Sequence, residues 1–275
     1  MVREFKLEGF TTNIQETVDL SLVIGLYGPQ GSGKTRFCAT APDPIGVIPL
    51  DRKSRFTVNK TMKEFDQVVV MPKADFIRHE NPIKLATLDD AKTKAYYGDH
   101  IKRVMDAAFQ LLNHQDIRTI VIDTGTQLWE DIMFKNYGRN QRILPRDRGA
   151  ANQDMIDFLN AMSGKHLLLI HKAAEIWEGP EDKAKPSGRF KPSGFGGLGY
   201  HSTVVIEMKK NTDYDTNSGS GRGKNWKWAT TIIDCQANPE LEGPQGREVL
   251  TDGDINFKNL ATLVYPDSPE LWGEL

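Results

Sequence analysis

Residues 28–35 read Gly28-Pro29-Gln30-Gly31-Ser32-Gly33-Lys34-Thr35, which fits the spacing G-x-x-x-x-G-K-[ST]. Each residue type has a chemical use there. Glycines let successive backbone N–H groups turn inward and surround phosphate oxygens. A helix beginning just after the loop would aim its positive end at the same anion. Lys34 would reach the β- and γ-phosphates as a point charge, and the Thr35 hydroxyl would ligate Mg²⁺. Arg36, next in the chain, is grouped with the loop as a nucleotide contact. The expected ligand is ATP, or another nucleoside triphosphate, with Mg²⁺; no motif that reads the base is visible.

A metal shell of this kind needs a second acid at the end of a neighbouring strand. The run RTIVIDTGTQ supplies Asp123. The alternative for Asp123 is an N-cap for the helix that follows. Residue 124 is Thr, where AAA+ ATPases usually carry the water-activating Glu; this argues against that group and places the base elsewhere. The apolar run Ile45–Leu50 ends in Asp51, on the edge of an open α/β sheet where ligands bind. Asp51 is therefore the candidate for orienting or deprotonating an attacking water, against the plainer reading of a surface acid paired with Arg52 or Lys53. The run Leu167–Ile170 ends in His171, which from a strand end could touch the γ-phosphate.

These side chains require strands to hold them. Leu22–Tyr27, Ile45–Leu50, Val68–Met71, Thr119–Ile122 and Leu167–Ile170 are continuous apolar runs, the look of parallel strands covered on both faces. Between them, Ile101, Val104, Met105, Ala108, Phe109 and Leu112 follow helical spacing, which predicts an amphipathic helix over 101–113. Leu128, Trp129, Ile132 and Met133 mark a second helix, and Met155, Ile156, Leu159 and Met162 a third. Alternating strands and helices imply an α/β fold with right-handed crossovers. Beyond 172 the chain turns rich in Gly, Pro and Lys. Thr203–Met208 and Trp226–Ile233 then read as a hairpin at the sheet edge, joined by a polar tip. Residues 237–275 carry little signal and are read as a tail.

Composition bounds the rest. The chain has 275 residues, 39% hydrophobic and 26% charged, with a net charge of −2, an ordinary globular balance that neither requires nor excludes a nucleic-acid partner. Cys38 and Cys235 are far apart and fit no metal spacing, so both are expected as reduced core residues. No apolar run approaches the ~18 residues of a membrane span. The start, MVREFKLEGF, lacks a signal peptide's apolar stretch. A cytoplasmic protein is expected, with no membrane partner.

The order of these parts resembles the RecA-like recombinase core, in the compact form of phage RecA-like ATPases linked to single-strand annealing. The resemblance covers about residues 20–236, with residues 1–19 as an N-terminal segment. It runs through GPQGSGKT, GVIPLD, QVVVMP, TIVIDT and LLLIH to the hairpin HSTVVIEMKK…WKWATTIIDC. It implies a mostly parallel central sheet flanked by helices, with an antiparallel hairpin extension. By position, Asp51 would take the place of the family's catalytic glutamate and His171 that of its γ-phosphate sensor. The family binds DNA through two loops. In this chain they would be 138–149, with Arg139, Arg142, Arg146 and Arg148, and 173–200, with Lys183, Lys185, Arg189 and Lys191. Phe190, Phe195 and Tyr200 lie among or beyond the second set. Basic residues neutralise phosphates, and interleaved aromatics stack on single-stranded bases.

The resemblance thus implies a Mg²⁺-dependent ATPase that binds single-stranded DNA in recombination, annealing or repair. It also implies a homo-oligomer, ring or filament, with a single-strand-binding or annealing protein as a possible partner. Departures from the family are the short flanking segments, the insertion 73–100, and the strand end IIDCQANP where the family often places lysines that reach a neighbour's ATP. Lys209, Lys210 and Arg222 are nearby substitutes. Two other functions stay open: a helicase-like or loader-like motor working through a protein partner, and a small-molecule phosphotransferase with 139–148 as its lid.

Overall fold

The computed structural model describes residues 21–51, 53–73, 85–139, 143–180, 183–213, 225–242 and 247–266. The apolar runs form β1 (Val23–Gly28), β2 (Ile45–Pro49), β3 (Val69–Val70), β4 (Thr119–Asp123) and β5 (His166–Glu178). β6 (Lys185–Pro192), β7 (Val204–Asp213), β8 (Asn225–Cys235) and β9 (Arg247–Thr251) follow. The sheet order is β3-β2-β4-β5-β1-β7-β8-β9, with β6 paired only to β5. Pairing is parallel from β3 through β1 to β7 and antiparallel through β8 and β9. The fold is therefore α/β, with a mostly parallel central sheet flanked by helices: the arrangement of RecA-like P-loop NTPases.

Successive strand residues point to opposite faces, and each face has its own core. One carries Ile24, Leu26, Val47, Val121, Leu168 and Ile206 under α1 (Lys34–Cys38) and α2 (Ser54–Glu64). The other carries Ile48, Ile120, Ile122, Leu167 and Leu169 under α3 (Asp90–Asn113), α4 (Gly125–Tyr137) and α5 (Gly149–Ala161). Both cysteines are free and buried.

Several boundaries differ from the sequence reading. The acid-bearing strand β4 is not the neighbour of β1, because β5 lies between them. α3 begins at Asp90 rather than 101. Asp89 caps it by accepting from Lys92 N at 2.8 Å, and its first turns bury Thr93 and His100, which no apolar stripe reveals. Half of the apparent insertion 73–100 is thus helix, while 74–84 lie outside the described residues. The 173–200 stretch is not a loop at its start. β5 continues to Glu178 and turns back as β6, from Glu178↔Lys185 to Ala173↔Pro192. The residues read as a tail also join the fold. β9 extends the sheet, and α7 (Phe257–Val264) buries Phe257, Leu260, Ala261 and Val264 in the first core. Asn256 caps that helix on Asn259 N, and Phe257 N donates to Thr40 Oγ1, each at 2.8 Å. A short helix α6 (Leu198–His201) precedes β7. Among the described residues, no helix is long and apolar enough to cross a membrane.

Candidate functional site

β1 delivers the chain into the 28–35 loop at the carboxyl edge of the sheet. A Cβ on Gly28 would stand 2.2 Å from the Met208 carbonyl oxygen, so only glycine lets β7 pass this closely. Gly31 and Gly33 adopt φ of 79° and 91°, the left-handed region that turns the loop's amides inward. Ser32 is fully buried, while Pro29 and Gln30 are exposed. The Lys34 ammonium donates to the carbonyls of Gly28 at 2.7 Å and Pro29 at 2.9 Å, across the mouth of the loop. Burial lowers its pKa, and the Asp123 carboxylate opposes that shift. Helix α1 is only 5 residues long, so the anion site rests on loop amides and Lys34 more than on a helix dipole. Thr35 stands half-buried in its first turn.

Asp123 closes β4 with 6% of its surface exposed. Its main-chain oxygen accepts from Leu50 N at 2.6 Å and Asp51 N at 3.4 Å, which ties the ends of β2 and β4 together. This places Asp51 next to Asp123, as the sequence suggested. Burial pushes the Asp123 carboxyl up to about 6; Asp51 adds to the shift, while a hydrogen bond from Ser54 and the Lys34 charge oppose it. A buried carboxylate in excess negative charge suits a divalent cation. Thr35, Ser54, Asp51 and Asp123 are all hard oxygen donors, as Mg²⁺ prefers, and few protein ligands suffice because Mg²⁺ keeps waters and takes phosphate oxygens. Among the described residues no group of three His, Cys, Asp or Glu gathers as a rival centre. Asp51 Oδ1 accepts from Lys53 N at 3.0 Å, a local turn that leaves the acid half-buried.

His171 sits elsewhere than expected. It pairs in register with Tyr27 of β1 but is fully buried, so it does not face a phosphate directly. Its Nδ1 lies 3.2 Å from the Ser193 carbonyl, and a Cβ on Gly125 would come within 2.8 Å of its ring. Burial pushes its pKa down to about 4 and keeps the imidazole neutral. His171 thus wedges between the start of α4 and the end of β6. Thr124, set against an AAA-type assignment by the sequence, has its own structural use: its hydroxyl caps α4 on Gln127 N at 3.1 Å.

The two basic segments differ. Arg139 donates from Nη2 to the Leu85 carbonyl at 2.6 Å, and its backbone N donates to Asp90 at 3.1 Å. Arg148 Nε donates to the Ile143 carbonyl at 3.1 Å, and Arg146 lies 3.8 Å from Asp147. Arg142 lies outside the described residues, as does Arg222. On the β5–β6 hairpin, Lys183, Lys185, Arg189 and Lys191 are exposed, with Arg189 paired to Glu178. Phe190 and Trp177 are exposed beside them. Phe195 is not a stacking candidate: it is buried against Trp129, their centroids 5.4 Å apart, whereas Tyr200 is 85% exposed.

Sequence reasoning missed a wall beside the loop. Arg36, Trp228 and Asp252 line a cavity that opens from Ser32 and Gly33, and Lys210 reaches to 4.0 Å from where a Gly31 Cβ would be. Only strand pairing brings these residues together. Ser54, which supports Asp123, carried no signal beyond lying one turn past Asp51.

Among solved structures, the chain is similar to a KaiC-like protein of Pyrococcus horikoshii OT3, at 11% identity over 83% of each chain with a TM-score of 0.43. It is also similar to the flagellar accessory protein FlaH of Methanocaldococcus jannaschii, at 11% identity over 78% of each chain with a TM-score of 0.38. No curated protein matches the sequence. The profile of the AAA domain family matches residues 21–230, from the start of β1 into β8. The loop, its lysine and the acid of β4 all lie within that span, and the chain belongs to the AAA domain family.

Proposed function

We propose that this protein is a Mg²⁺-dependent ATPase that binds single-stranded DNA on the β5–β6 hairpin, in recombination, annealing or repair of the phage type. The observation that carries the reading is a hydrogen-bonded link between the nucleotide site and the hairpin's base. Thr126, three residues beyond Asp123, donates to the Ser193 carbonyl at 2.8 Å and accepts from Lys172 N at 3.0 Å. Tyr27, the last residue before the loop, donates from its hydroxyl to the Phe190 carbonyl at 3.3 Å. A change at either end of this link has a short path to the other.

The chemistry proposed is in-line attack of water on the γ-phosphate. Thr35 and Asp123 would hold Mg²⁺, which when bound neutralises charge on the phosphates. The loop amides and Lys34 bind the phosphates and offset charge that builds on them. Asp51 orients the water and takes its proton. Exposed Lys185, Arg189 and Lys191 neutralise the DNA backbone while Phe190 and Trp177 offer stacking faces.

Steady-state ATP hydrolysis, with and without single-stranded DNA at two salt concentrations, tests this reading. Stimulation by DNA that fades at high salt is expected, with hydrolysis lost in Lys34→Ala and reduced about 100-fold or more in Asp51→Asn. Hydrolysis indifferent to DNA would sink the coupled mechanism. Hydrolysis near the parent rate in Asp51→Asn would remove Asp51 as the base.

A further inference from the structure

A cavity of about 360 Å³ opens directly from the phosphate loop, with Ser32 and Gly33 serving as both loop and wall. Its far side is built by other parts of the chain: Arg36 and Phe37 from α1, Trp228 from β8, and Asp252 and Ile255 from the turn before α7. The volume falls within the range of small-molecule sites, about 300–1,000 Å³, and the mix of apolar walls with a few polar groups is also typical of them.

The wall is held in place. Trp228 N donates to Asp252 Oδ1 at 2.9 Å, which fixes the carboxylate against the strand. The indole edge lies 3.6 Å from where a Gly33 Cβ would be, so the ring packs on the loop itself. Lys210, the cross-strand partner of Trp228, holds its ammonium 6.0 Å from the ring centroid. Charge then sorts the two ends of a ligand. Lys34, Lys210 and the loop amides favour phosphate at the mouth. The Asp252 carboxylate disfavours phosphate at the far wall and favours a neutral group bearing N–H donors.

We propose that this cavity takes the purine base of the bound nucleotide, with Trp228 as its stacking platform and Asp252 as acceptor for an N–H on the base's edge. The proposal rests on the reading of residues 28–35 as a nucleotide site and adds the residues that recognise the base. A bicyclic platform offers more overlap to a purine than to a pyrimidine.

Calorimetric titration of the full chain with ATP, GTP, UTP and inorganic tripolyphosphate, each with Mg²⁺, tests it. At least one purine triphosphate should bind about 10- to 100-fold more tightly than tripolyphosphate, the scale of one base–aromatic stack. Trp228→Ala should erase that margin while tripolyphosphate binding persists, and Trp228→Phe should restore most of it. Asp252→Ala should weaken the favoured purine severalfold. Intrinsic fluorescence gives a second readout: the purine nucleotide should quench the parent protein but not Trp228→Phe. Equal affinity for tripolyphosphate and every nucleotide, or a quench that survives in Trp228→Phe, would overturn the base site and leave the phosphate site standing. Binding of neither nucleotide nor tripolyphosphate would overturn the phosphate site, and this proposal with it.

Discussion

The segment 143–148 with its preceding Arg139 and the β5–β6 hairpin look alike as strings of basic residues, but the fold uses them differently. In the first, Arg139 and Arg148 spend their guanidinium donors on the carbonyls of Leu85 and Ile143, joining the start of α3 to the end of α4 and closing the turn before α5. In the second, Lys185 and Lys191 extend from strand positions into solvent, and only Arg189 is engaged, by Glu178. Basic charge is therefore a poor guide until the donors are counted. An arginine that satisfies buried or turn carbonyls is part of the scaffold; a lysine on an exposed strand is available to a phosphate.

Three experiments bear on that contrast. The first concerns the hairpin's anchor. The pKa of His171 falls from 6.5 to about 4 on folding, so protons bind more tightly to the unfolded chain. Its contribution to stability is full above about pH 6.5 and is lost as pH falls toward 4, up to about 3 kcal/mol. Asp123 acts with the opposite sign over nearly the same window. Its pKa rises from 3.8 to about 6, so the folded chain holds that proton more tightly and acidification favours it. Denaturant unfolding of the parent and of His171→Asn between pH 7 and 4.5 separates the two, because the variant should lose the acid-sensitive part alone. Equal slopes in the two proteins would mean that the hairpin's anchor does not depend on the neutral imidazole.

The second experiment removes Lys185, Arg189 and Lys191 together, each to Ala. Single-stranded DNA should bind about 10- to 100-fold more weakly at low salt. The slope of log affinity against log salt should shrink by about 2, at roughly 0.7 per phosphate contact. An unchanged slope would place the DNA surface elsewhere or nowhere. The third is Arg139→Ala, expected to cost about 1 kcal/mol in stability for the lost hydrogen bond while leaving DNA affinity within about twofold of the parent. If it weakens DNA as much as the triple variant does, the two segments are not different in kind.

The legible parts of the site share a feature: each lies within one short stretch of chain. GPQGSGKT carries its own turn chemistry, and Asp123 and Asp51 end apolar runs that any reader would make strands. Short elements hid where their signals were polar or brief. The first turns of α3 bury Thr93 and His100 rather than leucines. α7 shows a correct apolar spacing, Phe257, Leu260, Ala261 and Val264, but for only 8 residues. The alternation in β5 was masked because its outer half faces solvent on both sides, with Glu175, Trp177 and Glu178 exposed.

The sequence by itself determined the phosphate loop, the acid that faces it, and an α/β fold with parallel strands, because these follow from residue types at fixed local spacing and from continuous apolar runs. Tertiary structure alone decided that β5 separates the two key strands, that His171 is enclosed, and that Trp228, Lys210 and Asp252 stand beside the loop. Those facts depend on which strands pair and in what register. Such pairing is non-local: residues 33, 210, 228 and 252 meet only after β7, β8 and β9 have added to the edge of β1, and no window of sequence contains them together.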